Sequence, residues 1–266
     1  MRSACSRKDL LNLAQPKPSS HKGENGKLLI FGGGKTYHGA PLLAAIAASQ
    51  FVDLVYFSSI KENMRIARKM KEGMLEVIVI ERKEAERKLK EFDCILFGCG
   101  IDESKENGEL LRVILKTKAR CVLDATAFSL LSNPLLLHEN VILTPHEREF
   151  ERLFGMKASR ENAERMARKY GCTILLKGKI DVIAGGKGKI KLNRTGNAGM
   201  TKGGTGDVLA GVCASFFCKN SAFTSACAAA FLNGKAGNLL YKKKGNTYTA
   251  GELARRLGEV YFDLIS

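Results

Sequence analysis

The chain has 266 residues, 45% of them hydrophobic and 26% charged, which is enough apolar material for a sizeable core and excludes a disordered chain. Its 43 basic and 27 acidic residues leave a formal charge of +16, which suits polyanionic ligands and selects none of them alone. With 7% aromatic residues, no tryptophan and no basic-aromatic alternation, a base-stacking nucleic-acid surface is not expected; nor is a membrane span, since no apolar run reaches the roughly 18 residues required.

In chain order, a short leading helix is expected around Lys8 to Ala14, then a linker, QPKPSSHKGENG at 15–26, which holds two of the five prolines. A single domain is expected over 27–266. Strand-like apolar runs there alternate with helix-period segments: KLLIFG (27–32) then 41–50, DLVYFSS (53–59) then 61–72, LEVIVI (75–80) then 82–91. DCILFG (93–98) precedes a helix at 106–118, CVLD (121–124) a short helix, and VILT (141–144) helices near 147–154 and 160–170. Near-continuous apolar strands separated by amphipathic segments predict an α/β fold, a mostly parallel central sheet flanked by helices on both faces. CTILLKG (172–178) and DVIAGGKGKIKLN (181–193) then read as a strand and a late β-hairpin turning at Gly185 and Gly186, followed by helices near 206–218, 221–240 and 250–264. The eight cysteines form no CxxC pair and lie mostly in apolar runs, so they read as small buried hydrophobes of a reducing cytosol, and MRSACSRKDL lacks a signal-peptide core; a cytoplasmic protein is expected.

Ligands of such sheets gather beyond the carboxyl ends of the strands, where GGGKTYHGAP, GCG, Asp124 and TPH all fall. GGGKTYHGAP (32–41) is not a P-loop, because position 29 is leucine, and not a dinucleotide fingerprint, because position 37 is tyrosine. It is a ligand-binding loop or a tight turn. The strongest signal is RTGNAGMTKGGTGDVLAG at 194–211, with six glycines in eighteen residues before a helix. Glycines let backbone N–H groups converge on an anion, and the helix N-terminus adds its dipole, so GGTG (203–206) reads as a phosphate seat. Asp207, the acid where the glycines end, is either a proton acceptor beside that phosphate or an N-terminal cap. His146 in TPHEREFERLFG is a helix-start residue or a contact in the crevice; Lys177 pairs with phosphate or reaches solvent; Asp124 caps the next helix or meets a metal. No residue is assigned to a metal, because no second carboxylate stands at ligand spacing.

HKGENGKLLIFGGGKTYHGAPLLAA, CVLDATAF, LTPHEREFERL, LLKGKIDVIAGGKGKIKLN and TGNAGMTKGGTGDVLAG together resemble the ordered motifs of the ADP-dependent NAD(P)H-hydrate dehydratases. The resemblance spans about residues 21–265 and implies a ribokinase-like fold. It also implies an enzyme, a carbon-oxygen lyase, that uses ADP or ATP with Mg²⁺ to return NADHX or NADPHX to NADH or NADPH. The implied route is phosphorylation of the C6 hydroxyl and loss of phosphate; a small-molecule kinase of the same fold is the alternative. Carried over by position, Asp207 is the catalytic residue and a hydrate contact, with Ala40, Gly100 and His146 as further hydrate contacts. Lys177, Gly178, Lys179, Ile180, Asp181, Gly203, Gly204, Thr205 and Gly206 are the nucleotide-contacting positions. The resemblance also implies a cytoplasmic homo-oligomer, a tetramer among its forms, with any epimerase expected as a separate chain. Departures are Cys99 where the pattern has proline, Thr126 where an acid is common, Asn233 and Asn238 for a frequent His and Asp, and Asp181 where bacterial members often have threonine.

Overall fold

In the computed structural model, which describes residues 3–69 and 76–266, nine strands form one sheet. They are β1 (Lys27–Phe31), β2 (Leu54–Ser58), β3 (Val77–Val79), β4 (Cys94–Phe97), β5 (Cys121–Leu123), β6 (Val141–Leu143), β7 (Thr173–Leu176), β8 (Asp181–Ala184) and β9 (Ile190–Asn193). The spatial order is β3-β2-β1-β4-β5-β6-β7-β8-β9, with every pair from β3 to β7 parallel and the β7-β8 and β8-β9 pairs antiparallel. The parallel sheet and late hairpin therefore match expectation. The hairpin turns at Gly185 and Gly186 as expected, with Gly188 N–H donating to the Gly185 carbonyl at 2.9 Å, and its left-handed residue is Gly188 (φ 78°).

Both faces of the sheet are buried, and the strand period of two divides them cleanly. Leu28 and Ile30 of β1, with Leu96, Val122, Ile142 and Leu175, enter a core under α2 (Gly39–Ala48), α9 (Thr205–Phe217), α10 (Ala222–Lys244) and α11 (Ala250–Ile265). Leu29 and Phe31, with Phe97, Leu123, Leu143 and Ile174, enter the opposite core, under α5 (Lys105–Lys116), α7 (Glu147–Phe154) and α8 (Arg160–Tyr170). Strands buried on both sides read as unbroken apolar runs for this reason.

The leading helix, α1 (Arg7–Leu11), begins one residue earlier and ends three earlier than expected and packs on α10 and α11. Leu10 is fully buried, and Asp9 pairs with Lys191 at 2.6 Å. The expected 82–91 helix is α4 (Arg82–Arg87) followed by a 3₁₀ turn at Leu89–Glu91, and α10 runs four residues beyond expectation. The helix expected at 61–72 is α3 (Lys61–Lys69); residues 70–72 of that expectation, and residue 75 of the third strand, lie outside the described residues.

Because β2 and β3 are laid to one side of β1 and β4 onward to the other, the strand order reverses between β1 and β4. A reversal of this kind is where the loops leaving two neighbouring strands can frame a ligand crevice; here the two loops touch, Gly33 N–H donating to the Cys99 carbonyl at 2.8 Å. The carboxyl ends of β1, β4, β5, β6 and β7 all face the same edge of the sheet, so residues 32–41, 98–102, 124, 144–146 and 177 meet there.

Candidate active site

The loop after β1 is stitched down at the crevice rather than left free. Lys35 N–H donates to both carboxylate oxygens of Asp102 at 3.2 and 2.9 Å, and the buried Asn63 donates through Nδ2 to the Gly34 carbonyl at 3.1 Å. Helix α2 opens at Gly39 instead of Pro41, so Ala40 lies in its first turn. Gly100, with φ 68°, sits against it: a Cβ there would stand 3.1 Å from the Ala40 Cβ and 2.8 Å from the Tyr37 carbonyl oxygen. Two expected hydrate contacts thus lie side by side at the switch point.

A second opening, a cleft of about 800 Å³, lies between the β7–β8 turn, the segment after β9, and helices α9 and α10. His146, Lys177, Gly178, Lys179, Ile180, Asp181, Thr205 and Gly206 line it, from among the expected site residues. Gly203 and Gly204 do not. Gly204 is needed for packing instead: its φ is 95°, and a Cβ there would stand 2.4 Å from Leu43 Cδ1 and 2.9 Å from Ala250 Cβ. Gly206 is the residue that leaves room, since a Cβ would approach only Lys177 Nζ, at 3.6 Å. Thr205 directs its hydroxyl away from the opening, to the carbonyls of Met200 (2.6 Å) and Lys202 (2.9 Å).

Helix α9 starts at Thr205 with no side-chain cap, and its first-turn amides at Gly206 and Asp207 have no carbonyl partner; the Asp207 amide meets its own carboxylate, which leaves the Gly206 amide available to an anion. This argues against the capping role for Asp207. His146 is a helix-start residue that also borders the cleft. Its Nδ1 accepts from Glu149 N–H at 3.2 Å, completing a capping box for α7, and half of its side chain is exposed at the rim of the cleft. Asp181 shapes the β7–β8 turn, accepting from Gly178 N–H at 3.0 Å and Asn193 Nδ2 at 2.9 Å. Burial nevertheless holds its pKa above the usual carboxylate value.

A polar cluster lies behind the cleft and reaches it through Lys177; Cys99, Asp124 and Asp207 are not among the residues that line the cleft, although Asp207 follows the lining residue Gly206. Asp124, 2% exposed, ends β5 and accepts from Thr144 Oγ1 and Lys177 Nζ, each at 2.7 Å. The next residue, Ala125, has φ 50°, a left-handed conformation that costs about 1–3 kcal/mol in a non-glycine residue and gathers at functional sites. Burial works against the charge of Lys177, but Asp124 and Glu149, the latter 3.9 Å away, outweigh it and hold the ammonium above its ordinary pKa. Asp207, Asp124 and the Cys99 thiol lie within 4.8 Å of one another. Burial and the Asp124 charge push Asp207 up to about 6, against the Cys99 hydrogen bond and the Lys177 charge.

This trio is a poor cation cage. Lys177 already neutralises Asp124, and burial beside two carboxylates keeps the Cys99 thiol protonated, far from the thiolate a metal requires. It is suited to moving a proton.

Sequence reasoning left Asp124 open and missed Thr144, Glu149 and Asn193. It singled out Asn233 only as a departure; this side chain lines the cleft with a buried Oδ1 that has no partner. Thr195 and Asn197, which precede the glycines of α9's entry, also line the cleft, and Asn238 Oδ1 accepts from Asn197 Nδ2 at 3.0 Å.

The family model described as NAD(P)H-hydrate dehydratase matches residues 28–258. The chain belongs to that family. Among curated dehydratase-family relatives, the ADP-dependent (S)-NAD(P)H-hydrate dehydratase of Nitrosopumilus maritimus is 38% identical over 262 residues, covering 92% of this chain and 91% of the relative. The bifunctional NAD(P)H-hydrate repair enzyme of Methanocaldococcus jannaschii is 40% identical over 259 residues, covering 95% of this chain and 51% of the relative, so the chain spans about half the length of such bifunctional family members. In three dimensions, the Bacillus subtilis ADP/ATP-dependent NAD(P)H-hydrate dehydratase co-crystallised with ATP and Mg²⁺ superposes with a TM-score of 0.84 over 99% of both chains at 24% identity. The fold is ribokinase-like. Among the described residues no helix is long and apolar enough to cross a membrane.

Proposed function

We propose that this chain is a nucleotide-driven (S)-NAD(P)H-hydrate dehydratase that restores NADH or NADPH from the hydrates NADHX or NADPHX. The observation that carries this reading is Asp207: a carboxylate with a pKa raised to about 6, in the first turn of an uncapped helix, next to a glycine whose amide is open. A base poised near working pH beside an anion seat is the requirement for activating an alcohol toward a phosphoryl group.

ADP or ATP, with its Mg²⁺, supplies the phosphoryl group that converts the hydrate's C6 hydroxyl into a competent leaving group. The cleft residues fit such a polyphosphate. In this reading the Gly206 amide and the α9 dipole face its charge, Lys177 adds a cation, and Lys179 stands at the turn beside it. The Mg²⁺ is assigned no side chain, and the cation enters with the phosphates. In this reading the hydrate is met by Ala40 and Gly100, small residues packed against each other at the switch point, and by His146 at the rim of the cleft.

In this arrangement Asp207 accepts the proton of the C6 hydroxyl at a carboxylate oxygen while the hydroxyl oxygen attacks phosphorus. The ring nitrogen then expels phosphate, leaving an N1=C6 iminium, and loss of a proton from C5 to the departing phosphate or to water restores the dihydronicotinamide. Asp124, locked by Lys177 and Thr144, holds Lys177 in place and keeps Asp207 basic. The basic surface gives two polyanionic ligands a favourable approach. The working form in this reading is a cytoplasmic homo-oligomer.

The test is to incubate the protein with NADHX, Mg²⁺ and either ADP or ATP, following dihydronicotinamide absorbance and inorganic phosphate together. Equal release of both supports the reading, and a stable phosphoester in place of phosphate would assign a kinase. Asp207→Asn is expected to lower turnover at least a thousandfold, about 4 kcal/mol of barrier, with nucleotide affinity within a few-fold of wild type. Near-normal turnover would refute the role of Asp207.

A further inference from the structure

The turn after β4 carries a thiol, Cys99, between two acids. Cys99 leaves β4 at the strand's carboxyl end, is fully buried, and has its sulfur within 4.8 Å of carboxylate oxygens of both Asp124 and Asp207. Sγ stands 3.9 Å from Asp124 Oδ2, to which it donates, and within 4.8 Å of an Asp207 carboxylate oxygen, so the same S–H can turn toward either acid. A thiol has one proton to donate, so it serves one carboxylate at a time.

We propose that Cys99 is a positioning residue for the base: its S–H donates to Asp207 while that carboxylate is charged, and turns to Asp124 Oδ2 once Asp207 has taken the substrate's proton. The proposal rests on the reading of Asp207 as the base. The sulfur keeps its own proton throughout, and only the direction of donation changes, by rotation about one side-chain bond.

The surroundings require such a donor. Asp124, from the end of β5, presents a like charge, and its own compensation is taken by Lys177, from the end of β7, which in turn faces Glu149 of α7. Asp207 is the only charged side chain of α9 itself, and α2, packed against α9, carries none. Without Cys99, Asp207 would face burial and the Asp124 charge with Lys177 as its only side-chain counterweight, and it would hold a proton to higher pH.

The experiment is the pH profile of kcat/KM for NADHX dehydration with wild type, Cys99→Ala and Cys99→Ser. The wild-type profile is expected to fall on the acid side near pH 6. Cys99→Ala is expected to move that limb upward by about half to one pH unit, with the alkaline plateau within about twofold, and Cys99→Ser to return it. An unmoved limb in Cys99→Ala, or a lowered plateau with an unmoved limb, overturns the proposal. The infrared S–H stretch, isolated as wild type minus Cys99→Ser, gives a readout that does not depend on the alanine variant folding. Asp207→Asn, which mimics the protonated base, is expected to shift that band, and an unshifted band overturns the proposal. Failure of the underlying reading is separable, because it leaves Asp207→Asn active whatever Cys99 does.

Discussion

Asp207 concentrates the chemistry of the site in one carboxylate, and its raised pKa has a consequence for stability as well as activity. A carboxyl whose folded-state pKa lies at about 6, against an unfolded value of 3.8, makes the native state bind the proton more tightly. Its stabilising contribution is therefore complete below about pH 4 and is lost as pH rises through about 6. Asp207→Asn should accordingly melt higher than wild type at about pH 8, by about 1–3 kcal/mol, with the difference vanishing below about pH 4. Thermal denaturation of both proteins across pH checks this, and a variant less stable than wild type at high pH would mean that burial is not what raises the pKa. The lone acid after the glycines was readable because a charge at the mouth of an anion seat needs a reason. Asp124 was not, since its role depends on Thr144, Lys177 and Cys99, which reach it from three other strand ends.

At the scale of elements, α9 shows how two neighbouring glycines serve different ends. Gly204 allows the chain to turn into the helix while lying against Leu43 of α2 and Ala250 of α11, whereas Gly206 keeps the helix mouth open opposite Lys177. Gly204→Ala is expected to cost about 2–4 kcal/mol of stability, from the left-handed backbone and the overpacked contact together. Gly206→Ala is expected to leave the melting temperature nearly unchanged while weakening nucleotide binding tenfold or more, because its methyl enters the anion seat. Denaturant titration and calorimetric nucleotide titration separate the two, and an exchange of these phenotypes would show the glycine roles misassigned. In the sequence both residues belong to one GGTG string, and local pattern cannot distinguish a glycine demanded by a neighbouring helix from one demanded by a ligand. The hairpin turn shows the same limit, since the left-handed residue is chosen by the β8-β9 register and falls on Gly188.

For the molecule as a whole, the leading segment is bound into the structure that carries the site. Cys5 N–H donates to the Leu192 carbonyl at 2.9 Å, Asp9 meets Lys191, and Leu10 is buried in the core beneath α10 and α11. Leu10→Ala is expected to cost about 2–5 kcal/mol while unfolding stays a single transition, measured by calorimetry; a separate early transition would show the segment to be an independent unit. The alternation of apolar strands and amphipathic helices, the late change to a hairpin, and the glycine-rich helix entry with its acid are local patterns of residue type and spacing, and these the sequence determined by itself. Which strand ends meet is a matter of sheet order, and that order brings residues 40, 99, 124, 177 and 207, far apart in the chain, to one edge. Only the tertiary structure decided that Cys99 stands between two carboxylates, that Lys177 is committed to Asp124, and that Gly206 rather than Gly203 or Gly204 opens on the cleft. Each of these is a distance between distant segments, and both burial and charge act through such distances.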